Sequence, residues 1–163
     1  MATHAQAARD VSAARRSPPG MTLDALLDLS HGDLAPLYEA ARAPSIEEVT
    51  GDLRGRMLAV PVFPQWATKW PRAWARTSTF PWRGKSFRAV GEEAGEGKNR
   101  VFSDRIRLYR FTTKIGPSHH DREPAFLLDY DHPENPWFIR RIEDEIREIA
   151  PGLYLGQAYV RTG

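Results

Sequence analysis

The stretch "NRVFSDRIRLYRFTTKIGPS", residues 99–118, decides how the second half of the chain is interpreted. Side chains of a strand alternate between its two faces, which places Tyr109, Phe111 and Thr113 together and Arg110 on the opposite face. Neither face is purely polar. Strands with apolar atoms on both faces and isolated polar groups are typical of a β-barrel with helices packed on its outside or at its open end.

Similar short runs lie on both sides of this stretch. They are separated by Gly, Asn and Pro residues, which favour turns. The runs are "GKSFRAV" from residue 84, "PAFLLDYD" from residue 124 and "GLYLGQAYVRT" from residue 152. Regularly spaced short strands with turn residues between them predict an antiparallel β-sandwich or β-barrel.

Residues 135–152, "NPWFIRRIEDEIREIAPG", carry two conflicting patterns. The isoleucines follow helical spacing, which favours a helix. However, Pro151 and Gly152 occupy the central positions of a type II turn, and a strand pattern follows directly. We therefore predict a short helix from about Pro136 that gives way to a strand near Asp144 and turns back at Pro151 and Gly152.

The N-terminal part of the chain is predicted to hold a tail followed by helices. Residues 1–20 are rich in Ala, Arg and Ser and carry few large apolar side chains. This composition predicts a disordered tail, or alternatively an amphipathic helix that folds on a partner. Helix-start signals follow at Thr22 and at Ser45, where Glu48 completes the spacing of a capping box. The first third of the chain is therefore expected to be mostly helical beyond the tail.

An aromatic and cationic stripe, "FPQWATKWPRAWAR", occupies residues 63–76. Such a stripe could lie on a membrane, cover a ligand cavity or belong to the core. Pro71 divides it and only three positive charges line it, which disfavours a long amphipathic helix on a membrane. We predict a helical flap that covers the open end of a barrel, with Trp70 and Trp74 contacting a ligand.

Composition limits the number of domains and the classes of partner. The chain has 163 residues, of which 41% are hydrophobic, and this is the size of one domain. We place that domain at residues 21–163, with a helical cover and flap at 21–76 and a β-barrel at 80–163. The net charge is +2 without a basic cluster, so the sequence predicts no nucleic-acid partner.

Cysteine is absent, and the chain has no run of apolar residues long enough for a signal peptide or a membrane span. We therefore expect a cytoplasmic protein without stable membrane insertion. Adjacent His119 and His120 point in different directions, so they are not expected to bind one metal ion. The sequence predicts neither a metal site nor a cofactor, and it leaves the oligomeric state open.

Several motifs together resemble a group of small bacterial proteins with a lipocalin-like β-barrel, related to domains that carry a Gly-x-Trp-x-Gly signature. They are "WRGKSF" at Trp82, "NRVF" at residue 99, "IGPS" at residue 115, "LLDYDHPENP" at residue 127 and "DEIREIAPGLYLG" at residue 144. The resemblance runs from about Phe80 to Gly163, and Phe80 stands where the signature has its first glycine. It implies a calycin-type cavity for a hydrophobic small molecule and no catalytic residues.

We accordingly predict an antiparallel lipocalin-like β-barrel that N-terminal helices cover at one end. Asp129, if it faces the interior, is a buried carboxylate that needs a partner such as Lys114. An apolar cavity raises the pKa of a carboxyl group, and Asp129, Tyr130 and Lys114 are the candidate catalytic residues. A structural ion pair is the favoured alternative to catalysis. The ligand-binding candidates are Trp82, Trp70, Trp74, Phe111, Arg147 and Tyr154.

Three functions follow from these expectations. The first is the binding of an apolar or aromatic small molecule in the barrel cavity. The second is a cofactor-independent cyclase or isomerase that acts on such a molecule by general acid–base catalysis. The third is a protein-interaction module that uses the aromatic stripe.

Overall fold

The computed structural model describes residues 2–8, 21–58, 81–92, 94–102 and 105–161. Over these ranges the protein is mainly β, with two short helices that precede most of the strands. This confirms the predicted class, an antiparallel β-fold with helices on its N-terminal side. The aromatic stripe, and with it Trp70 and Trp74, lies outside the described residues.

Each described strand is antiparallel to its neighbours in the sheet, and neighbours in sequence are neighbours in space. The strands are β1 (Ala2–Ala8), β2 (Gly51–Met57), β3 (Trp82–Ala89), β4 (Ala94–Val101), β5 (Arg107–Pro117), β6 (Pro124–Asp129), β7 (Ile142–Ala150) and β8 (Leu153–Val160). The seven strands β2 to β8 form one sheet that curls into a half-barrel. β1 pairs with both outer strands of that sheet, β2 and β8.

Strand β1 corrects the prediction of a disordered tail over its residues. His4 pairs with Met57 on β2 and with Gly156 on β8. Backbone hydrogen bonds to two open sheet edges need no large apolar side chain, which is why composition did not reveal this strand. Residues 9–20 of the predicted tail lie outside the part of the chain that the structure describes.

The helical region contains a 3-10 helix, Ala25–Asp28, and two α-helices, α1 (His31–Glu39) and α2 (Ile46–Val49). The predicted capping box at the start of α2 is confirmed, because the Ser45 side chain accepts a hydrogen bond from the Glu48 backbone and the Glu48 side chain accepts one from the Ser45 backbone. Within the predicted helical cover and flap at 21–76, β2 belongs to the sheet, and residues 59–76 lie outside the described ranges.

Two apolar clusters divide the described core. One lies on the concave face of the sheet, and it contains Ile46, Val49, Leu53, Phe87, Phe111, Phe126, Leu128, Tyr130, Ile146 and Tyr154. The other packs the 3-10 helix and α1 against the opposite face of β7 and β8, and it contains Leu26, Leu27, Leu34, Tyr38, Leu58, Ala150, Leu153 and Leu155. Of the two described α-helices, α2 contributes side chains to the concave face, whereas α1 lies outside the curl.

The region with conflicting patterns resolves into a turn and a strand. Backbone hydrogen bonds from residues 139 and 140 to Pro136 O form a turn, and β7 begins at Ile142. Gly152 has a φ of 72°, a conformation that glycine adopts without strain, and it joins β7 to β8. The predicted strand and its turn are confirmed, and the predicted short helix is a turn instead. The helices in the described ranges lack the length and apolar character that a membrane-spanning helix requires.

Close packing at Gly97 gives a test of the concave face. A Cβ atom on Gly97 would overlap Ser86 O and lie 2.5 Å from Phe111 Cζ. Gly91, in the turn after β3, has no heavy atom within 4 Å of the corresponding position. We expect Gly97→Ala to lower the free energy of unfolding by about 1–3 kcal/mol, as overpacking does, and Gly91→Ala to leave it nearly unchanged. Urea unfolding measures both, and equal effects would contradict this packing.

Candidate functional site

The most unusual feature of the concave face is a buried ion pair between Lys85 and Asp144. Lys85 Nζ lies 2.8 Å from Asp144 Oδ2, and the two residues are 3% and 4% exposed. Lys85 belongs to β3 and Asp144 to β7, with three strands between them in the sheet. Such a contact is possible only across the inside of the curl.

Two further polar side chains, Asn99 and Tyr130, contact this ion pair. We call the four residues the Lys85 network: Lys85, Asn99, Tyr130 and Asp144. Lys85 Nζ donates hydrogen bonds to Asn99 Oδ1 at 2.9 Å and to the Tyr130 hydroxyl at 2.5 Å. The amide of Asn99 donates to the Tyr130 hydroxyl at 3.0 Å, and that hydroxyl donates to Asp144 Oδ2 at 3.1 Å. The charged pair is thus enclosed by hydrogen bonds, as buried charges require.

Aromatic rings surround the ammonium group of Lys85. Its Nζ lies 5.4 Å from the ring centroid of Trp82, 5.5 Å from that of Phe111 and 5.2 Å from that of Tyr130. The indole N–H of Trp82 donates to Asn99 Oδ1 at 2.9 Å, so the half-buried Trp82 is attached to the network. The environment of Lys85 therefore combines one carboxylate with aromatic faces, which attract cations.

Burial alters the proton affinity of two members of the network. Loss of hydration lowers the pKa of Lys85 from its usual 10.5, and the neighbouring Asp144 carboxylate offsets part of that change. Burial also raises the pKa of Tyr130 well above 10.0, and Asp144 acts in the same direction. Tyr130 is consequently a neutral hydrogen-bond donor, and Lys85 gives up its proton more readily than an exposed lysine.

A β-bulge aims Trp82 and Lys85 at the same side of the sheet. Trp82 pairs with Val101 and Gly84 with Arg100, so β3 contains one residue more than β4 at this point. Residues three apart in a regular strand face opposite sides, and one extra residue reverses that relation. Gly84 has a φ of 129°, and a Cβ there would overlap the backbone of β2, which explains the glycine.

Two of the three predicted catalytic residues lie away from this site. Asp129 Oδ1 lies 2.8 Å from an Arg161 nitrogen, on the face of β6 opposite to Phe126 and Leu128. Lys114 is exposed. Strand alternation is the reason, because the apolar alternate positions of β6 face the interior and Asp129 does not share their face. The structure therefore does not bring Asp129 and Lys114 together with the buried Tyr130.

The predicted ligand-binding residues divide in the same way. The rings of Trp82 and Phe111 lie beside the Lys85 ammonium group. Tyr154 is buried on the concave face, and its hydroxyl donates a hydrogen bond to Glu48 O at 2.9 Å. Arg147 lies on the other face, where its guanidinium group is 4.6 Å from the ring centroid of Tyr38 on α1. The Arg147 side chain contacts both α1 and the sheet, and it does not face the interior.

The sequence prediction missed Lys85, Asn99 and Asp144. A usable signal existed, because a single polar residue alternates with a large apolar one in "KSF" at residues 85–87 and in "DEI" at residues 144–146. Such alternation places the polar and the apolar side chain on one face of a strand. Which face is the interior depends on pairing between distant strands, which the local pattern does not contain.

A second polar cluster lies outside the curl, around the fully buried Glu145. Its carboxylate accepts hydrogen bonds from the Ser118 hydroxyl at 2.7 Å, from the His119 backbone at 2.8 Å and from the Tyr159 hydroxyl at 3.1 Å. These contacts fix the turn between β5 and β6 to the sheet. No group of three or more His, Asp or Glu side chains in the described part of the chain is arranged to hold a metal ion.

Comparison with protein-family models, with curated proteins and with solved structures found no match to this chain. The relation to lipocalin-like proteins and to Gly-x-Trp-x-Gly domains therefore stays a prediction. Function has to be inferred from the Lys85 network and from its position inside the curled sheet.

Proposed function

We propose that the protein is a lipocalin-like binding protein that holds an apolar or aromatic small molecule on the concave face of its sheet. The observation that carries this proposal is the Lys85–Asp144 pair enclosed by aromatic side chains. An aromatic ligand would pack against Trp82 and Phe111, and a hydroxyl or carbonyl group on it would hydrogen-bond to the network. A few polar groups in a mainly apolar site are the usual means of orienting a small ligand.

The cost of the network supports a role beyond packing. Removing two charges from water costs several kcal/mol per ion, and apolar side chains of similar size often give equal or greater stability. The concave face of this protein already contains Phe87, Phe126, Leu128 and Ile146, so apolar residues are tolerated there. A charged pair in these apolar surroundings supplies the polar groups that a site needs to orient a bound ligand.

Binding of benzyl alcohol tests the proposal. It supplies an aromatic ring and one hydroxyl group, and we expect saturable heat in calorimetry together with a change in tryptophan emission, because Trp82 lies beside Lys85. Lys85→Met should weaken binding by at least about tenfold, which corresponds to one lost hydrogen bond of roughly 1.4 kcal/mol.

The exposed Lys114 provides the matched control. Lys114→Met removes the same charge from the surface of the sheet and should leave the affinity unchanged. If benzyl alcohol gives neither heat nor a change in emission at saturating concentration, the binding proposal is wrong. Equal affinities of the wild type and Lys85→Met would place any bound molecule elsewhere.

The second candidate function is a cofactor-independent cyclase or isomerase. The lowered pKa of Lys85 and its contact with Asp144 favour it, because an amine and a carboxylate that can exchange a proton in an active site serve as general acid and base. In this scheme Asp144 and Lys85 take the roles predicted for Asp129 and Lys114, and Tyr130 donates a hydrogen bond to a carbonyl oxygen. Conversion of a bound ligand into a product separates this function from binding alone.

A further inference from the structure

We propose that Lys85 forms a reversible imine with small aromatic aldehydes, so that the preferred ligands of the site are carbonyl compounds. This inference rests on the proposed function, because the aldehyde has to occupy the concave face beside Trp82 and Phe111. Lys85 is a buried primary amine with a carboxylate at 2.8 Å and a phenol at 2.5 Å. These are the groups that imine formation needs: a nucleophile, a proton acceptor and a proton donor.

The first half of the reaction creates the bond between nitrogen and carbon. The ammonium group of Lys85 passes a proton to Asp144, and the free electron pair on Nζ attacks the carbonyl carbon. The electrons of the carbonyl double bond move to its oxygen. A proton then passes from the nitrogen to that oxygen through the Tyr130 hydroxyl, which gives a neutral carbinolamine and leaves Tyr130 unchanged.

The second half releases water. Asp144 returns its proton to the carbinolamine hydroxyl, the bond between carbon and oxygen breaks, and the nitrogen electron pair forms the double bond. The products are water, a protonated imine and the Asp144 carboxylate. One positive and one negative charge face each other before and after the reaction, so the adduct does not leave an unpaired charge in the interior.

The neighbouring rings define which aldehydes fit. Three aromatic centroids lie between 5.2 Å and 5.5 Å from Nζ, so a planar ring attached to the new carbon would contact aromatic side chains. The cationic imine keeps the favourable electrostatic contact that those ring faces make with the ammonium group. Aromatic aldehydes are therefore expected to react better than aliphatic aldehydes of similar size.

The other lysines provide internal controls. The sequence contains four lysines, Lys69, Lys85, Lys98 and Lys114. Lys114 is exposed and Lys98 is half-buried, and neither has an acidic partner among the ion pairs found in the described ranges. At neutral pH an ordinary lysine is almost wholly protonated and reacts slowly. Selective reaction at Lys85 would therefore report on its environment.

The experiment treats the full chain with equimolar benzaldehyde and sodium cyanoborohydride at pH of about 7 and maps the reduced benzyl adducts by mass spectrometry. Burial lowers the pKa of Lys85 and so enlarges its neutral fraction, and the aromatic side chains beside it hold the aldehyde close, so Lys85 should be labelled at least about ten times faster than Lys98 or Lys114. Excess benzyl alcohol, which cannot form an imine, should slow labelling at Lys85 and leave Lys114 unaffected. In guanidinium chloride, which unfolds the chain, Lys85 should be labelled no faster than Lys98 or Lys114.

The outcomes separate the inference from the function on which it rests. If benzyl alcohol binds but Lys85 is labelled no faster than Lys98 and Lys114, the imine proposal is wrong and the binding proposal stands. If benzyl alcohol does not bind and Lys85 is not labelled preferentially, both are wrong. Tyr130→Phe gives a second test that keeps Lys85 and Asp144 in place: without the hydroxyl that moves the proton to the carbinolamine oxygen, labelling should slow at Lys85 alone, and an unchanged rate would contradict the proposed reaction.

Discussion

Lys85→Met is expected to lower the free energy of unfolding by about 3–5 kcal/mol, because it removes the ammonium group that lies 2.8 Å from the buried Asp144 carboxylate. Methionine has a similar length, so little packing volume is lost. The Tyr130 and Asn99 side chains also lose the ammonium group to which they are hydrogen-bonded at 2.5 Å and 2.9 Å. Denaturant unfolding followed by circular dichroism measures the change.

A double substitution distinguishes a broken ion pair from a general defect in packing. Lys85→Met with Asp144→Leu removes both charges, and it should recover much of the stability that the single change loses. Lys114→Met, on the exposed surface, should change the free energy of unfolding by less than about 0.5 kcal/mol. If Lys85→Met is as harmless as Lys114→Met, the buried pair does not contribute to the folded protein as described.

Arg147→Met should cost about 2–4 kcal/mol, through the loss of contacts that join α1 and the β5–β6 turn to β7. The fully buried guanidinium group donates to the backbone oxygens of Tyr38 at 3.1 Å, Glu123 at 3.0 Å and Pro124 at 3.1 Å. It also pairs with Asp121 through two hydrogen bonds of 2.6 Å and 2.7 Å. The expected loss is smaller than for Lys85, because the Asp121 side chain is 23% exposed and regains water.

Arg141 is the matched control for this change, because its side chain is exposed and its Nε donates a single hydrogen bond to Arg161 O. Arg141→Met should shift the unfolding midpoint little. Calorimetric melting of the two variants provides the comparison. Similar melting temperatures for both would show that the contacts of Arg147 are not needed to hold α1.

The parts of the fold that the sequence predicts correctly are those in which the deciding groups are close along the chain. Ser45 and Glu48 cap the helix that lies between them, and Pro151 with Gly152 makes a turn whatever surrounds it. Strand alternation is equally local, so the strand character of β5, β6 and β8 follows from sequence. Strand β1 does not, since its partners are 45 or more residues away, the shortest separation being that between Ala8 and Leu53.

The candidate site illustrates what local pattern cannot supply. Tyr130 was predicted and lies in the site, but its partners come from β3, β4 and β7. Asp129 precedes Tyr130 in sequence and faces the other way, because a one-residue step changes the face of a strand. The bulge at Gly84, which brings Trp82 and Lys85 to one side, is set by pairing with β4 and not by the residues of β3 alone.

The Lys85 network also affects the local unfolding of the sheet. Its side chains come from β3, β4, β7 and the residue after β6, so it connects β3 and β4 with β7, which shares no backbone hydrogen bonds with either of them. A sheet held only by pairing between neighbours can lose strands one at a time through local unfolding. Here β3 cannot separate from the interior without exposing Asp144 on β7. We therefore expect β3, β4 and β7 to open together as one cooperative unit, because the network opposes the movement of any one of these strands from across the curl.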